Sequence, residues 1–155
     1  ENAERDGFRV TEIRPGNYVM HDAMQVALGA AALDDCALTV LTTVISTQTK
    51  PNGPDRAFVD AGKKVFTTDT GAGTDGYGIA LADAASMQPH PGLHVDRLSE
   101  EHGWLAVDAD VDLEVGDRIR IVPNHACVTV ANQDRLHVVD GDTEVDTWTV
   151  DARGW

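Results

Sequence analysis

Basic residues and cysteines are both scarce in this chain. Lysine occurs only at Lys50, Lys63 and Lys64, and 12 basic residues stand against 26 acidic ones, for a formal charge of −14. Because phosphate binding needs clustered Lys and Arg, this balance excludes partners such as nucleic acids and anionic membranes. Two cysteines, Cys36 and Cys127, are too few for a disulfide framework.

Long apolar runs are absent as well. No segment approaches the roughly 20 apolar residues that span a bilayer, and the first residues do not form a signal-peptide pattern. With the low cysteine content, this predicts a cytoplasmic protein. The chain starts at Glu1 without Met, so we expect it to be part of a longer protein. Its 155 residues, 42% of them hydrophobic, suffice for one domain over 1–155 with its own core.

The acidic excess is mainly aspartate, with 19 Asp and 7 Glu. Together with the scarcity of lysine, it is typical of a halophile protein, whose surface charges are screened by molar salt. An ordinary acidic cytosolic protein is the alternative. The thermal stability of the chain as a function of KCl concentration distinguishes the two.

Most of the recognisable elements are short strands. The β-branched run at 37–48 and the alternating residues 118–122 predict strands, and Asp140-Gly141 predicts a hairpin turn. The Ala-rich segment 22–32 predicts a short helix capped by Asp22. Together these elements predict a mostly β domain, an antiparallel barrel or sandwich with one or two short helices. Further short strands are predicted at 8–13, 18–20, 57–60, 65–67 and 77–81, with two more flanking 99–103.

His125 and Cys127 follow the predicted strand 118–122 and are separated by one residue. Imidazole nitrogen and thiolate sulfur suit zinc better than cations that prefer oxygen. Extended backbone would place both side chains on one face, whereas a helical turn capped by Asn124 would make them diverge. By spacing alone such a pair is more often incidental than a metal site. Two ligands fit an open site, completed by water and substrate, better than a closed structural one.

Other motifs carry weaker signals. Glu101 beside His102 suits acid–base chemistry or the orientation of a ligand, and a charged loop is the alternative. Asp60 precedes Lys63, a lysine that could form a Schiff base or bind phosphate, and a solvated turn is the alternative. The glycine-rich loop 71–78 lacks the pattern of a phosphate-binding loop, which excludes nucleotide binding there.

Six segments, taken in order, resemble the C-terminal domain of the D-serine dehydratase and D-threonine aldolase family. The resemblance implies a fold like that of type III alanine racemase, in which a (β/α)-barrel carries pyridoxal phosphate and a mostly β domain closes over it. The segments are RPGNY (14–18), VIS (44–46), DAGK (60–63), EHG (101–103), PNHAC (123–127) and WTVDARG (148–154).

By this resemblance His125 and Cys127 are the ligands of Zn²⁺ or another divalent metal. In the aldolases an acidic residue commonly replaces the cysteine, so Cys127 favours a dehydratase acting on a β-hydroxy-D-amino acid. An aldolase or amino acid racemase of the same family remains open, as does a stand-alone acidic binding module without catalysis. The residues expected around the ligands are Asn124, Glu101, His102 and Asp60.

The resemblance also implies what the chain lacks. The Schiff-base lysine of the family lies in the barrel, and no repeated βα units occur here. We therefore expect no complete catalytic site and no cofactor-binding residues in this chain, with pyridoxal phosphate present only in a full-length enzyme that has an N-terminal barrel. Alone, the chain should be inactive. Family members commonly form homodimers in which domains complete each other's sites.

Overall fold

The structure, a computed structural model, describes residues 11–153. Within them the chain is mostly β, with nine strands, two short α-helices and two 3₁₀ turns. The helical elements are η1 (Asn17–Val19), α1 (Ala23–Ala27), η2 (Leu33–Asp35) and α2 (Ala126–Ala131). The strands are β1 (Val40–Gln48), β2 (Asp55–Val59), β3 (Ile79–Asp83), β4 (Gln88–Pro89), β5 (Leu93–Leu98), β6 (Gly103–Val107), β7 (Arg118–Val122), β8 (Arg135–Asp140) and β9 (Thr143–Thr149).

Seven strands form one antiparallel sheet in the order β4-β3-β7-β1-β2-β6-β5, and β8 pairs with β9 in a separate hairpin. The sheet curls, since the backbone N–H of Tyr77, just before β3, donates to the carbonyl of Val95 on β5 at 2.9 Å. Over residues 11–153 it does not close into a barrel. The predicted antiparallel, mostly β fold with two short helices is confirmed.

The inner face of the sheet holds the main core. Val44, Val59, Val95, Leu105 and Ile121 are each at most 1% exposed. They come from five different strands and alternate with residues on the outer face, as the two-residue period of a strand requires. Phe66, in the connection from β2 to β3, is also buried and completes this core.

Several predicted elements are confirmed. The run 37–48 contains β1, and the hairpin around Asp140-Gly141 is β8–β9. The helix predicted at 22–32 ends already at Ala27, but Asp22 caps it as expected, its Oδ1 accepting from the Gln25 N–H at 3.0 Å. None of the helices in the described part of the chain is long and apolar enough to cross a membrane.

Three predicted strands are wrong where the structure describes them. Residues 18–20 lie largely in η1. Residues 65–67 form a turn, because the N–H groups of Val65 and Phe66 both donate back to the carbonyl of Gly62, at 2.9 and 2.8 Å. Residues 11–13 are not in a strand, and residues 8–10 lie outside the described residues.

The strand register gathers the chemically interesting segments at one end of the sheet. Val40 at the start of β1 pairs with Ile121 near the end of β7, and Ile79 at the start of β3 pairs with Val122. Val59 at the end of β2 pairs with Gly103 at the start of β6. The connections 60–78, 99–102 and 123–125 therefore all leave the sheet at this end.

Candidate metal centre

His125 links β7 to α2 and is held by a carboxylate. Its backbone is extended (φ −137°, ψ 102°), and helix α2 begins at the next residue. The His125 Nδ1 lies 2.7 Å from Oδ2 of Asp69, and the imidazole side chain is 29% exposed. With Nδ1 engaged by the carboxylate, Nε2 is the ring nitrogen left to bind a ligand.

Cys127 is the second residue of α2, and its side chain is exposed. Its thiol donates a weak hydrogen bond to Oδ1 of Asn17 at 3.5 Å. The cysteine lines an open cleft of about 210 Å³, which is below the roughly 300 Å³ of the smallest ordinary ligand pockets. The lining residues are Gly16, Asn17, Val19, Met20, Ala126, Cys127 and Val130.

The backbone of this segment combines the two geometries considered from the sequence. It is extended at His125 and helical from Ala126 onward, so the histidine turns to Asp69 and the cysteine to Asn17. No group of three or more His, Cys, Asp or Glu side chains within residues 11–153 is arranged to hold a metal ion. The pair offers two donors of the zinc-preferring kind, a nitrogen and a sulfur.

Asp22 fixes α2 from the other end of the chain. This carboxylate is 0% exposed, and its Oδ2 accepts from the backbone N–H of Ala126 at 2.9 Å and from the Asn17 side-chain amide. The adjacent N–H of Ala23 donates to the Pro123 carbonyl at 3.1 Å. The start of α1 is therefore bonded directly to the segment that carries the histidine and the cysteine.

Asn124 does not cap α2, since His125 occupies the cap position. Its side chain is 1% exposed, and its amide donates to the carbonyls of Asp69 and Gly76 at 3.0 and 2.9 Å. Asn124 therefore anchors the glycine-rich loop to the end of β7. This anchoring explains how Asp69, on a long connection, comes to lie next to His125.

Sequence reasoning missed Asp69. Hydrogen bonds from His125 and Thr67 hold its pKa below the ordinary aspartate value, and its backbone N–H donates to Oγ1 of Thr67 at 2.9 Å. The residue is separated from His125 by 56 positions. The one signal available in the sequence was a carboxylate beside a glycine-rich loop, which is a common arrangement on protein surfaces.

Asp60, Glu101 and His102 form a second cluster at the same end of the sheet. The Asp60 carboxylate accepts from Oγ1 of Thr42 at 2.6 Å, and Glu101 pairs with Lys64. Burial acts to raise the pKa of Asp60, but its hydrogen bonds from Thr42 and the backbone and the charge of His102 outweigh this and lower it. None of the hydrogen bonds found within residues 11–153 joins this cluster to the histidine and cysteine of α2.

A family model described as "Putative serine dehydratase domain" matches residues 37–139. The chain belongs to this family. The domain is the C-terminal domain of D-serine dehydratase-like proteins. The resemblance seen in the sequence is thus confirmed at the level of the family.

The relatives fall into two groups by length. An uncharacterized protein of Mycobacterium tuberculosis is 38% identical over 137 residues, and the match spans 88% of this chain and 98% of that protein. The D-threo-3-hydroxyaspartate dehydratase of Delftia is 34% identical over 155 residues, and the D-serine dehydratase of Dictyostelium discoideum is 30% identical over 148. These matches span 94% and 89% of this chain, but only 40% and 35% of the two enzymes.

Solved structures extend the likeness to the fold. A D-threo-3-hydroxyaspartate dehydratase with a cysteine changed to alanine, in the metal-free form, is 36% identical and has a TM-score of 0.78. The match spans 97% of this chain and 40% of that one. A second variant of the enzyme, with a TM-score of 0.73 and 35% identity, has a histidine two positions before that cysteine changed to alanine. That match spans 97% of this chain and 39% of the other.

Proposed function

We propose that this chain is the metal-binding domain of a cytoplasmic, pyridoxal-phosphate-dependent lyase that acts on a β-hydroxy-D-amino acid, in the manner of D-serine dehydratase. The observation that carries the proposal is the pair His125 and Cys127 at the end of β7, with the histidine ring held by Asp69. The same spacing separates the histidine and cysteine replaced in the two D-threo-3-hydroxyaspartate dehydratase variants, one of them in a metal-free form.

The residues at this position fit a zinc ion. The carboxylate on Nδ1 leaves Nε2 of His125 as the donor, an arrangement common among metal-binding histidines. The Cys127 thiol is exposed and makes one weak hydrogen bond within the described residues, so its sulfur is accessible to a metal ion. The two protein ligands leave positions for water and substrate, as in catalytic zinc sites.

The residues of this chain would hold and orient the metal, while the groups that react would lie outside this chain. His125 and Cys127 would hold the metal, which would supply a Lewis acid for the departure of the substrate β-hydroxyl. Pyridoxal phosphate, which the barrel of the full-length enzyme would bind, would supply the electron sink for α-proton removal. Elimination of water from the substrate would give an enamine, and hydrolysis of this enamine by water would yield a keto acid and ammonia.

The match spans 40% and 35% of the two dehydratases described above, and we propose that the complete site needs the additional part that those enzymes contain. We propose that this part is an N-terminal barrel, and that the complete enzyme forms a homodimer. Cys127 favours a dehydratase over a D-threonine aldolase, because the softer thiolate selects zinc over harder ions.

A second candidate function is a separate binding module without catalysis. It is favoured by the mycobacterial relative, 98% of whose length is covered by the match to this chain. A protein of that extent has no room for a barrel. In such a module the acidic surface would contact a cationic partner, and the histidine and cysteine would have no substrate to bind.

Zinc binding by the purified chain tests the proposal. Zinc affinity is measured by competition with a chromophoric chelator at pH 7.5 for the wild type, His125→Ala and Cys127→Ser. His137→Ala, which changes an exposed histidine on the β8–β9 hairpin, is the matched control. Binding that both site variants lose and the control keeps supports the metal site.

Equal zinc binding by all four proteins, or none by the wild type, would favour the binding module. The substrate is tested on the full-length gene product, incubated with D-serine and with D-threonine. Release of ammonia and a keto acid identifies a dehydratase, whereas release of glycine and an aldehyde from D-threonine identifies an aldolase.

A further inference from the structure

We infer that Asp69 is the positioning residue that decides which ring nitrogen of His125 faces the metal. The inference rests on the proposed function, since it assigns a role at the same site to a residue outside the ligand pair. Its basis is the contact of 2.7 Å between Oδ2 of Asp69 and Nδ1 of His125.

The chemistry of this contact fixes the tautomer of the neutral ring. An ionised carboxylate can only accept a hydrogen bond, so Nδ1 of His125 must carry the proton. Nε2 then has a free lone pair and can bind a metal. A neutral histidine side chain in water favours the opposite tautomer, with the proton on Nε2. Without Asp69, the proton would therefore sit mainly on the nitrogen that the metal needs.

Buried neighbours hold Asp69 in place from two sides. The Asn124 amide donates to the Asp69 carbonyl at 3.0 Å, and the Asp69 N–H donates to Thr67 Oγ1 at 2.9 Å. Asn124 and Thr67 are 1% and 4% exposed. Because Asn124 directly precedes His125, backbone and side chain of Asp69 both bond to the same short segment, and the carboxylate and the ring cannot drift apart independently.

Among the residues that the structure describes, the other carboxylate bonded to this segment is that of Asp22, and it is not free to take over the role. The Asp22 carboxylate already accepts hydrogen bonds from the N–H groups of Gln25 and Ala126 and from the side-chain amide of Asn17, the residue that also contacts Cys127. The loss of Asp69 should therefore release the His125 ring. We expect Asp69→Ala to lower zinc affinity by about 10- to 100-fold, the usual effect of removing a group that orients a metal-bound histidine.

The tautomer is measured directly, without metal, by long-range ¹H–¹⁵N NMR of the histidine rings at pH 9. His125→Ala assigns the signals. The wild type should show a protonated Nδ1 and a bare Nε2 at His125. Asp69→Ala should move the proton mainly to Nε2, and Asp69→Asn, whose amide oxygen still accepts from Nδ1, should retain the wild-type tautomer in part. Asp75→Ala, beside His94, is the control and should leave His125 unchanged.

Two results would overturn the inference: a wild-type His125 with its proton on Nε2, or an Asp69→Ala protein that stays folded and keeps both the tautomer and the zinc affinity. A merely structural role for Asp69 would alter the melting temperature but not the tautomer of the folded protein. The tautomer is read without metal, so a wild type that fails to bind zinc would contradict the proposed function while the NMR result still decides the orienting role.

Discussion

Replacing Asp22 with alanine should strongly destabilise the protein. The carboxylate is fully buried and accepts three hydrogen bonds, from the N–H groups of Gln25 and Ala126 and from the amide of Asn17. It caps α1 and also satisfies an N–H in the first turn of α2, so a single side chain supports two helix N-termini.

The magnitude follows from these three bonds. Loss of the α1 cap costs about 1 kcal/mol. The N–H of Ala126 would be buried without a partner, which costs about 1–3 kcal/mol, whereas the partly exposed Asn17 amide can turn to water at little cost. The sum is about 3 kcal/mol, a large share of the roughly 5–15 kcal/mol that keeps a domain folded. At this chain length the melting temperature should fall by about 6–12 °C.

Urea unfolding followed by circular dichroism measures this loss. Asp34→Ala is the matched control, because it removes the same charge from an exposed position in η2 and should change stability by less than about 0.5 kcal/mol. Asp22→Asn keeps one acceptor oxygen and should lie between the two. An Asp22→Ala protein within 1 kcal/mol of the control would refute the assigned double role of this carboxylate.

Three further predictions concern other parts of the molecule. Thr42→Val removes the 2.6 Å hydrogen bond to Asp60 and should raise the lowered pKa of Asp60 in a ¹³C NMR titration. The stability that the Asp60 carboxylate contributes is present above its unfolded pKa of about 3.9 and is lost as pH falls through the lower pKa of the folded state. The free energy of unfolding of Thr42→Val should therefore depend less on pH between these two values than that of the wild type. Gly76→Ala should destabilise more in urea than Gly116→Ala, since both have positive φ but only at Gly76 would a Cβ lie 2.3 Å from the Val95 carbonyl oxygen. With a charge of −14, the melting temperature should rise in molar KCl, and equal melting in low and high salt would contradict the halophile interpretation.

Local patterns in the sequence correctly predicted the elements whose causes are local. The β-branched run that became β1, the turn at Asp140-Gly141 and the cap at Asp22 each depend on side chains within a few positions of one another. The order of the family motifs likewise identified the domain without any structure. The strand predicted at 65–67 was wrong, because valine, phenylalanine and threonine all favour strands, whereas the N–H groups of Val65 and Phe66 bond back to Gly62.

Helix α2 could not be predicted from the local sequence. Its residues include Val128, Thr129 and Val130, which favour strands. The structure nevertheless makes them helical and bonds the first N–H of the helix to Asp22, 104 positions away. This is the reason that the histidine and the cysteine turn to different partners, a point that their spacing left open.

The sequence by itself determined that this is an acidic, mostly β domain, and its motif order indicated His125 and Cys127 as candidate metal ligands, because composition, periodicity and motif order are properties of the chain alone. Only the tertiary structure decided how those side chains are held. Asp69 reaches His125 across 56 positions because Asn124 anchors its loop. No local pattern encodes such a contact, since it depends on the register that brings the connections after β2 and β7 to the same end of the sheet.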